Sequence, residues 1–286
     1  DRLRAQVAAD RRTARPQQPA RERRRFLAGG FAVASVAAVA TTVGWLGWQH
    51  IQAQPVFQHA FSTRAGQLTS VTLPDGSTLR LDTATALQAT FWRHRREVRL
   101  TEGQALFTVA ADAARPFHVT AGGVRVTVVG TRFSVRLTPG IAGREGVEVE
   151  VAEGRVRVGA DVSAGAPAPQ DAAGQGQAFE LAAGQRIVFD PQGRQPVLGT
   201  VAPEAVGGWR TLQLSFSDVP LRQALAEIER YRSLGIAAID PAAAELRLSG
   251  TFDPRDPAAT RRLLAASLPI RFAPQGSGWQ VLAAAR

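Results

Sequence analysis

Side chains able to do covalent or metal chemistry are few and scattered. The four histidines, His50, His59, His94 and His118, fall at no spacing that would close a metal site, and no cysteine completes one. The lack of cysteine also removes a thiolate nucleophile and any disulfide framework. No Gly-x-Ser-x-Gly elbow, phosphate loop or dinucleotide fingerprint stands at a strand–helix junction. Carboxylates occur singly on expected strands and turns, where solvation accounts for them. Arg93, His94, Arg95 and Arg96 beside Trp92 have the composition of a nucleic-acid patch. A solvated hairpin is the simpler reading, because the topology derived below puts these residues outside the cytoplasm. No enzyme, cofactor, metal or nucleic-acid partner is expected.

Composition bounds the class. Of 286 residues, 45% are hydrophobic and 20% charged, which is enough apolar material for a folded chain. All 34 basic residues are Arg. With no Met, Asp1 is not expected to be the natural start, and the sequence reads as a fragment. The net charge of +10 is local: residues 1–25 hold nine Arg against Asp1, Asp10 and Glu22, leaving +4 for the rest.

A membrane segment is expected next. No Asp, Glu, Lys or Arg occurs between Phe26 and Thr63. Phe26–Trp48 is almost wholly apolar, and as a helix it would be roughly 35 Å long, against a hydrocarbon core of about 30 Å. Trp45 and Trp48 suit the far interface, and Arg21, Arg23, Arg24 and Arg25 flank the near one. The positive-inside rule then puts residues 1–25 in the cytoplasm and the chain after residue 48 across the inner membrane. Arg23-Arg24-Arg25-Phe26-Leu27 also resembles a twin-arginine export signal, with Ala38-Val39-Ala40 as a cleavage site. The apolar run past Ala40 favours an anchor.

Beyond a polar linker at 49–60, two modules are expected. Residues 61–203 read as short strands. Val124, Val126 and Val128 alternate with Arg125 and Thr127; Phe133, Val135 and Leu137 alternate with Ser134 and Arg136; Val147, Val149 and Val151 alternate with Glu148 and Glu150. This is the pattern of an all-β domain, a β-sandwich or a solenoid-like sheet, with one wet face. Asp75-Gly76 between apolar runs signals a hairpin, and residues 159–178, rich in Ala, Gly and Pro, a flexible loop. Residues 204–286 predict a small α+β module, β-α-β-β-α-β-β, with strands at Thr211–Phe216, Ile236–Ile239, Glu245–Thr251, Ile270–Ala273 and Trp279–Leu282. One helix follows Asp218 and Pro220 and buries Leu221, Ala224, Leu225, Ile228 and Tyr231; another is capped by Asp256 and uses Leu263, Leu264 and Leu268.

Ordered motifs in these modules resemble one family. They are Val71-Thr72-Leu73-Pro74-Asp75-Gly76-Ser77, Leu100-Thr101-Glu102-Gly103-Gln104-Ala105-Leu106-Phe107, Arg115-Pro116-Phe117-His118-Val119, Val129-Gly130-Thr131-Arg132-Phe133 and Val151-Ala152-Glu153-Gly154-Arg155-Val156. Together they are similar to the FecR family of membrane-bound anti-sigma factors. The second module, through Leu214-Ser215-Phe216-Ser217-Asp218-Val219-Pro220-Leu221 and Leu248-Ser249-Gly250-Thr251-Phe252, resembles the short N-terminal domain of secretins and TonB-dependent transducers. Residues 1–25 then look like the end of the family's sigma-binding region.

The resemblance implies a single-pass inner-membrane regulator. It would relay a signal from the periplasmic signalling domain of a TonB-dependent receptor, often one for iron-siderophore uptake, to a cytoplasmic extracytoplasmic-function sigma factor. Intramembrane and periplasmic proteases would release that factor. Alternatives are an anchored periplasmic binding module or a secretion-machinery component without a sigma partner. The resemblance also implies self-cleavage at Gly130-Thr131 by an N-to-O acyl shift, since relatives are split at this motif. Gly130 accepts a strained backbone, and the Thr131 hydroxyl lies close to the preceding carbonyl; His118 is the nearest thing to a candidate base. Strand edges in the second module are the expected docking surface for the receptor, through Gln213, Arg247 and Trp279.

Overall fold

Alternating valines can bury one face of a strand only against a second layer, and this sets the architecture. The computed structural model describes residues 54–161 and 178–284. The expected span at 26–48, the paired arginines and loop residues 162–177 lie outside the described residues. Among those described, no helix is long and apolar enough to cross a membrane.

Thirteen strands follow in order: β1 (Phe57–Ser62), β2 (Thr69–Thr72), β3 (Thr78–Leu81), β4 (Ala86–Phe91), β5 (Arg96–Thr108), β6 (Phe117–Ala121), β7 (Val124–Val128), β8 (Arg132–Leu137), β9 (Val147–Glu153), β10 (Arg155–Ala160), β11 (Ala178–Ala182), β12 (Gln185–Phe189) and β13 (Val197–Thr200). The first begins inside the expected linker. The long β5 belongs to two sheets. Its first half pairs antiparallel with β4 and parallel with β6; its second half pairs antiparallel with β3 and β8. One sheet is therefore β11-β10-β7-β6-β5-β4-β1 and the other β2-β3-β5-β8-β9-β12-β13. Their inner faces share one core, in which Phe107 of the second sheet meets Phe117 of the first edge-on at 6.4 Å. Of the two architectures open from the sequence, this is the sandwich.

The strand changes sheets at Gly103. Its φ is +95°, and a Cβ there would strike the Thr85 hydroxyl and lie 2.5 Å from Thr85 Cα. Only glycine permits both the left-handed backbone and this close approach.

The Asp75-Gly76 turn forms as expected, with Asp75 accepting from the Ser77 amide at 3.0 Å and the Ser77 hydroxyl at 2.7 Å. Asp75 is also the counter-ion of Arg96, at 2.6 Å, with both side chains buried. The expected solvated arginine run is corrected here. Arg95 stacks on Trp92, but Arg96 turns inward, where Asp75 and the carbonyls of Ala110 and Arg115 satisfy it.

The second module begins with 3-10 turns at Pro203–Ala205 and Gly208–Thr211. Then come β14 (Leu214–Pro220), α1 (Leu221–Tyr231), β15 (Ile236–Ile239), a one-turn α2 (Pro241–Ala244), β16 (Arg247–Phe252), α3 (Pro257–Ser267), β17 (Ile270–Gln275) and β18 (Gly278–Ala283). The expected order holds, with α2 added. The first strand starts at Leu214 rather than Thr211, because the chain turns through 3-10 geometry first. It also continues past Asp218 through a bulge, where Asp218 adopts φ +52°. All five expected core residues of α1 are buried. Asp256 caps α3 by accepting from the Ala259 amide at 2.9 Å. Leu263 is corrected to a 47% exposed position, because α3 buries only a narrow stripe through Thr260 and Leu264. β14 and β16 form one small sheet, and β15-β18-β17 form another in which β15 and β18 run parallel.

The two modules share a core. Leu106 and Ala152, on the outer face of the second sheet of the sandwich, cluster with Val206, Trp209, Leu221, Leu225 and Ile228. The described residues from Pro55 onward accordingly form one compact unit.

Candidate functional site

The expected site residues fall in three separate places. Gly130 and Thr131 lie in the short connection between β7 and β8. Gly130 has no left-handed backbone; glycine is needed because a Cβ would come within 2.9 Å of Ala111 Cα and Cβ. The peptide packs under the Glu153-Gly154 turn, where a Cβ on Gly154 would lie 2.8 Å from Thr131 Cγ2. Thr131 is buried, and its hydroxyl has no hydrogen-bond partner among the described residues. His118 does not serve it. Its Nδ1 lies 3.0 Å from the Thr127 hydroxyl, and burial, assisted by Arg125, lowers its pKa and favours the neutral ring. A nucleophile is present without an assembled base.

Gln213 is exposed just ahead of β14. Arg247, on β16, is exposed and forks onto the Asp218 carboxylate at 3.0 and 2.8 Å. That contact fastens the bulge of β14 to its neighbour. Trp279 is half-buried under the Arg261 guanidinium, 5.0 Å from its centroid. Its strand β18 is central, paired on both sides, so it offers no edge. The local pattern hid this, because the parallel partner β15 lies about forty residues upstream. The free edges of this module belong to β14, β16, β15 and β17.

Where the modules meet, the structure assembles a polar latch that motif reading missed. Glu227 on α1 forms a buried ion pair with Arg136 on β8 and accepts from Arg230 at 2.9 Å. Arg230 Nη1 also lies 3.4 Å from Asp82, and its Nη2 donates to the Thr83 carbonyl at 2.9 Å. The Tyr231 hydroxyl sits 2.8 and 2.9 Å from the two oxygens of Asp82, and Thr83 Oγ1 donates to the Arg230 carbonyl at 2.8 Å. Successive residues of the last turn of α1 thus grip the loop after β3. Helical spacing put Glu227 and Arg230 beside the apolar stripe, but nothing local named partners in another module.

The network sets opposite titrations. Burial lifts Asp82 to about 6, against the opposing pull of Arg230, the Thr83 amide and Tyr231. Burial acts the same way on Glu227, but Arg136 and Arg230 outweigh it and hold the carboxyl below its usual range. Burial and Glu148 also lift Glu150, on the same face of the sandwich, to about 7. A cleft of about 390 Å³ opens beside the latch, and Arg136, Arg144 and Arg186 in its wall are matched by Glu145, Glu148 and Asp190. It therefore selects neither sign of charge. Among the described residues no group of His, Asp and Glu could hold a metal ion. The latch joins α1 to β8 through Arg136 and to the end of β3 through Asp82 and Thr83.

Residues 59–157, from within β1 to within β10, match the family model described as FecR protein. No curated protein sequence matches the chain. Two crystal structures of a candidate anti-sigma factor from Parabacteroides distasonis ATCC 8503 share the fold. One, at 22% identity and TM-score 0.65, covers 80% of this chain and all of that one. The other, at 23% identity and TM-score 0.64, covers 78% of this chain and 97% of that one. Coverage this wide exceeds the sandwich and takes in the second module.

The latch makes stability depend on pH. Asp82 and Glu150 have pKa values raised by folding, so their contribution grows as pH falls through about 6 and about 7 and is complete only below their ordinary values of 3.8 and 4.5. Glu227, with a lowered pKa, contributes above 4.5 and loses that contribution on further acidification. Thermal unfolding should therefore show stability rising from pH 8 toward pH 5, by about 1.4 kcal/mol for Asp82, with its full effect of about 3 kcal/mol reached only below its ordinary pKa. Asp82→Asn should reduce this rise to the part that Glu150 supplies, and an unchanged slope in that variant would contradict the assignment.

Proposed function

We propose that the chain is an anti-sigma regulator that spans the inner membrane and relays a periplasmic signal to an extracytoplasmic-function sigma factor. The FecR match at 59–157 carries the reading, and the shared fold of a candidate anti-sigma factor extends it over the second module. The charge pattern supports the topology: an arginine-rich segment at 1–25, then a 23-residue apolar run, then two folded modules. A signal from the periplasmic domain of a TonB-dependent receptor would arrive at the second module. The latch would pass it to the sandwich, and proteolysis would complete release of the sigma factor. In the host, deleting the gene should change transcription from the promoters of one such sigma factor, and a reporter fused after Ala60 should report the periplasm. Unchanged transcription would overturn the reading.

Self-cleavage belongs to the same proposal. The unpartnered Thr131 hydroxyl supports it, since no competing hydrogen bond holds it from the Gly130 carbonyl. Attack would form an ester between Gly130 and Thr131 Oγ1 and free the Thr131 amine; water would then open the ester to a Gly130 carboxylate and the restored hydroxyl. Thr131→Ala should abolish a two-fragment pattern on a denaturing gel and Thr131→Ser should preserve it. A single intact band for the unaltered protein in its host would dispose of the step.

A further inference from the structure

A second cleft, of about 210 Å³, lies where the 3-10 turn Gly208–Thr211 crosses the outer face of the sandwich. Arg80 and Arg210 line it with the Trp209 indole, Thr69 and Ser70, over the leucines Leu68 and Leu81. It contains no carboxylate. Three of its features are unusual together.

The first is unspent donor capacity. Trp209 is 8% exposed and its indole N–H is buried without an acceptor. A buried N–H left unpaired costs about 1–3 kcal/mol, and this one belongs to a ring in the cleft's wall. Arg80 is exposed and makes no hydrogen bond or ion pair among the described residues. Arg210 uses its Nε on the Gly207 carbonyl at 2.6 Å, and neither of its Nη groups has a partner among the described residues. The second is repulsion. Arg80 and Arg132 both act on Arg210, adding to burial in lowering its pKa; Glu153 answers only Arg132, at 3.1 Å. Like charges gathered without an acid raise the local affinity for an anion. The third is position. Thr69 and Ser70 belong to β2, which among the described residues pairs with β3 alone, so its far side carries main-chain groups with no strand partner there. Ser70, Arg80 and Leu106 stand in register across β2, β3 and β5 and share the outward face.

We propose that the edge of β2 and this cleft together receive an extended acidic segment of a partner protein. The segment adds as a strand to β2, and one of its carboxylates enters the cleft beside the Trp209 ring to accept from Arg80 and Arg210. Main-chain pairing supplies affinity and the cleft supplies the requirement for acid. The volume fits one Asp or Glu side chain and falls below the roughly 300 Å³ at which pockets hold a whole small ligand. Because the cleft joins the sandwich to the turn that leads into β14, an occupant bridges the two modules. This surface is distinct from the β14 and β16 edges and from the latch, and it does not depend on the sigma-factor reading.

The test is a titration of the full chain, labelled with ¹⁵N, using the acetylated and amidated peptide Thr-Glu-Thr-Glu-Thr, its Gln-for-Glu counterpart and inorganic phosphate. Trp209→Phe identifies the Trp209 indole resonance. The acidic peptide should move that resonance, and Arg80→Gln should weaken binding by about tenfold or more, as expected for losing a charge-assisted hydrogen bond. Arg80 is exposed and unpaired, so its loss leaves the fold intact. The Gln peptide should bind at least as poorly as the acidic peptide binds the variant. No binding at millimolar peptide, binding that leaves the Trp209 resonance in place, or equal affinity in Arg80→Gln would overturn the proposal. Phosphate binding as tightly as the peptide would reduce the site to an anion pocket and overturn strand docking.

Discussion

A guanidinium taken out of water must find its counter-charge there, and the arrangement of the two modules follows from that requirement. Arg136 and Glu227 are both buried, one on the sandwich and one on α1. Each alone would be untenable at that position, because an unpaired buried ion costs several kcal/mol. The pair therefore admits one seating of α1 on the sheet and penalises others, a role in specificity more than in net stability. Arg230, Asp82, Thr83 and Tyr231 extend the same constraint by one helical turn. Leu106, Ala152 and the apolar face of α1 contribute the non-directional part of the contact.

A second buried pair, Arg96 with Asp75, works inside the sandwich. It ties the β2–β3 turn to the start of β5, the strand on which both sheets depend. Gly103 lets β5 leave the first sheet for the second, so the core closes around a single continuous strand. Every cation in the chain is arginine. Both buried pairs use the planar fork to reach a carboxylate while other N–H groups meet backbone carbonyls or a hydroxyl, as Arg96 does with Ala110 and Arg115 and Arg136 with Thr138.

Much of the fold was legible because its signals are local. Valine alternation marked β7 and β9, Asp75-Gly76 marked the hairpin, and 3.6-residue spacing marked α1 with its buried face. What stayed hidden depends on distant partners. Asp82 reads as a turn residue until Tyr231, 149 positions away, is placed beside it. β18 reads as an edge until parallel β15 is added. Arg96 looks solvated in a run of arginines until Asp75 turns back toward it. Gly103 appeared within a motif, but its reason, the crossing of one strand between sheets, requires both sheets. Of the candidate site residues, Thr131 alone shows the unmade hydrogen bond its expected role needs, and Arg247 is engaged with Asp218 instead of standing free.

The central claim is that Arg136 and Glu227 lock the second module to the sandwich, and a double-mutant cycle on the full chain measures it most directly. Unfolding would be followed for Arg136→Met, Glu227→Leu and the double variant. Each single change should cost about 3–5 kcal/mol by stranding a buried charge, and the double should cost far less than their sum. Additive losses, or single losses within about 0.5 kcal/mol, the range of ordinary surface changes, would contradict the latch.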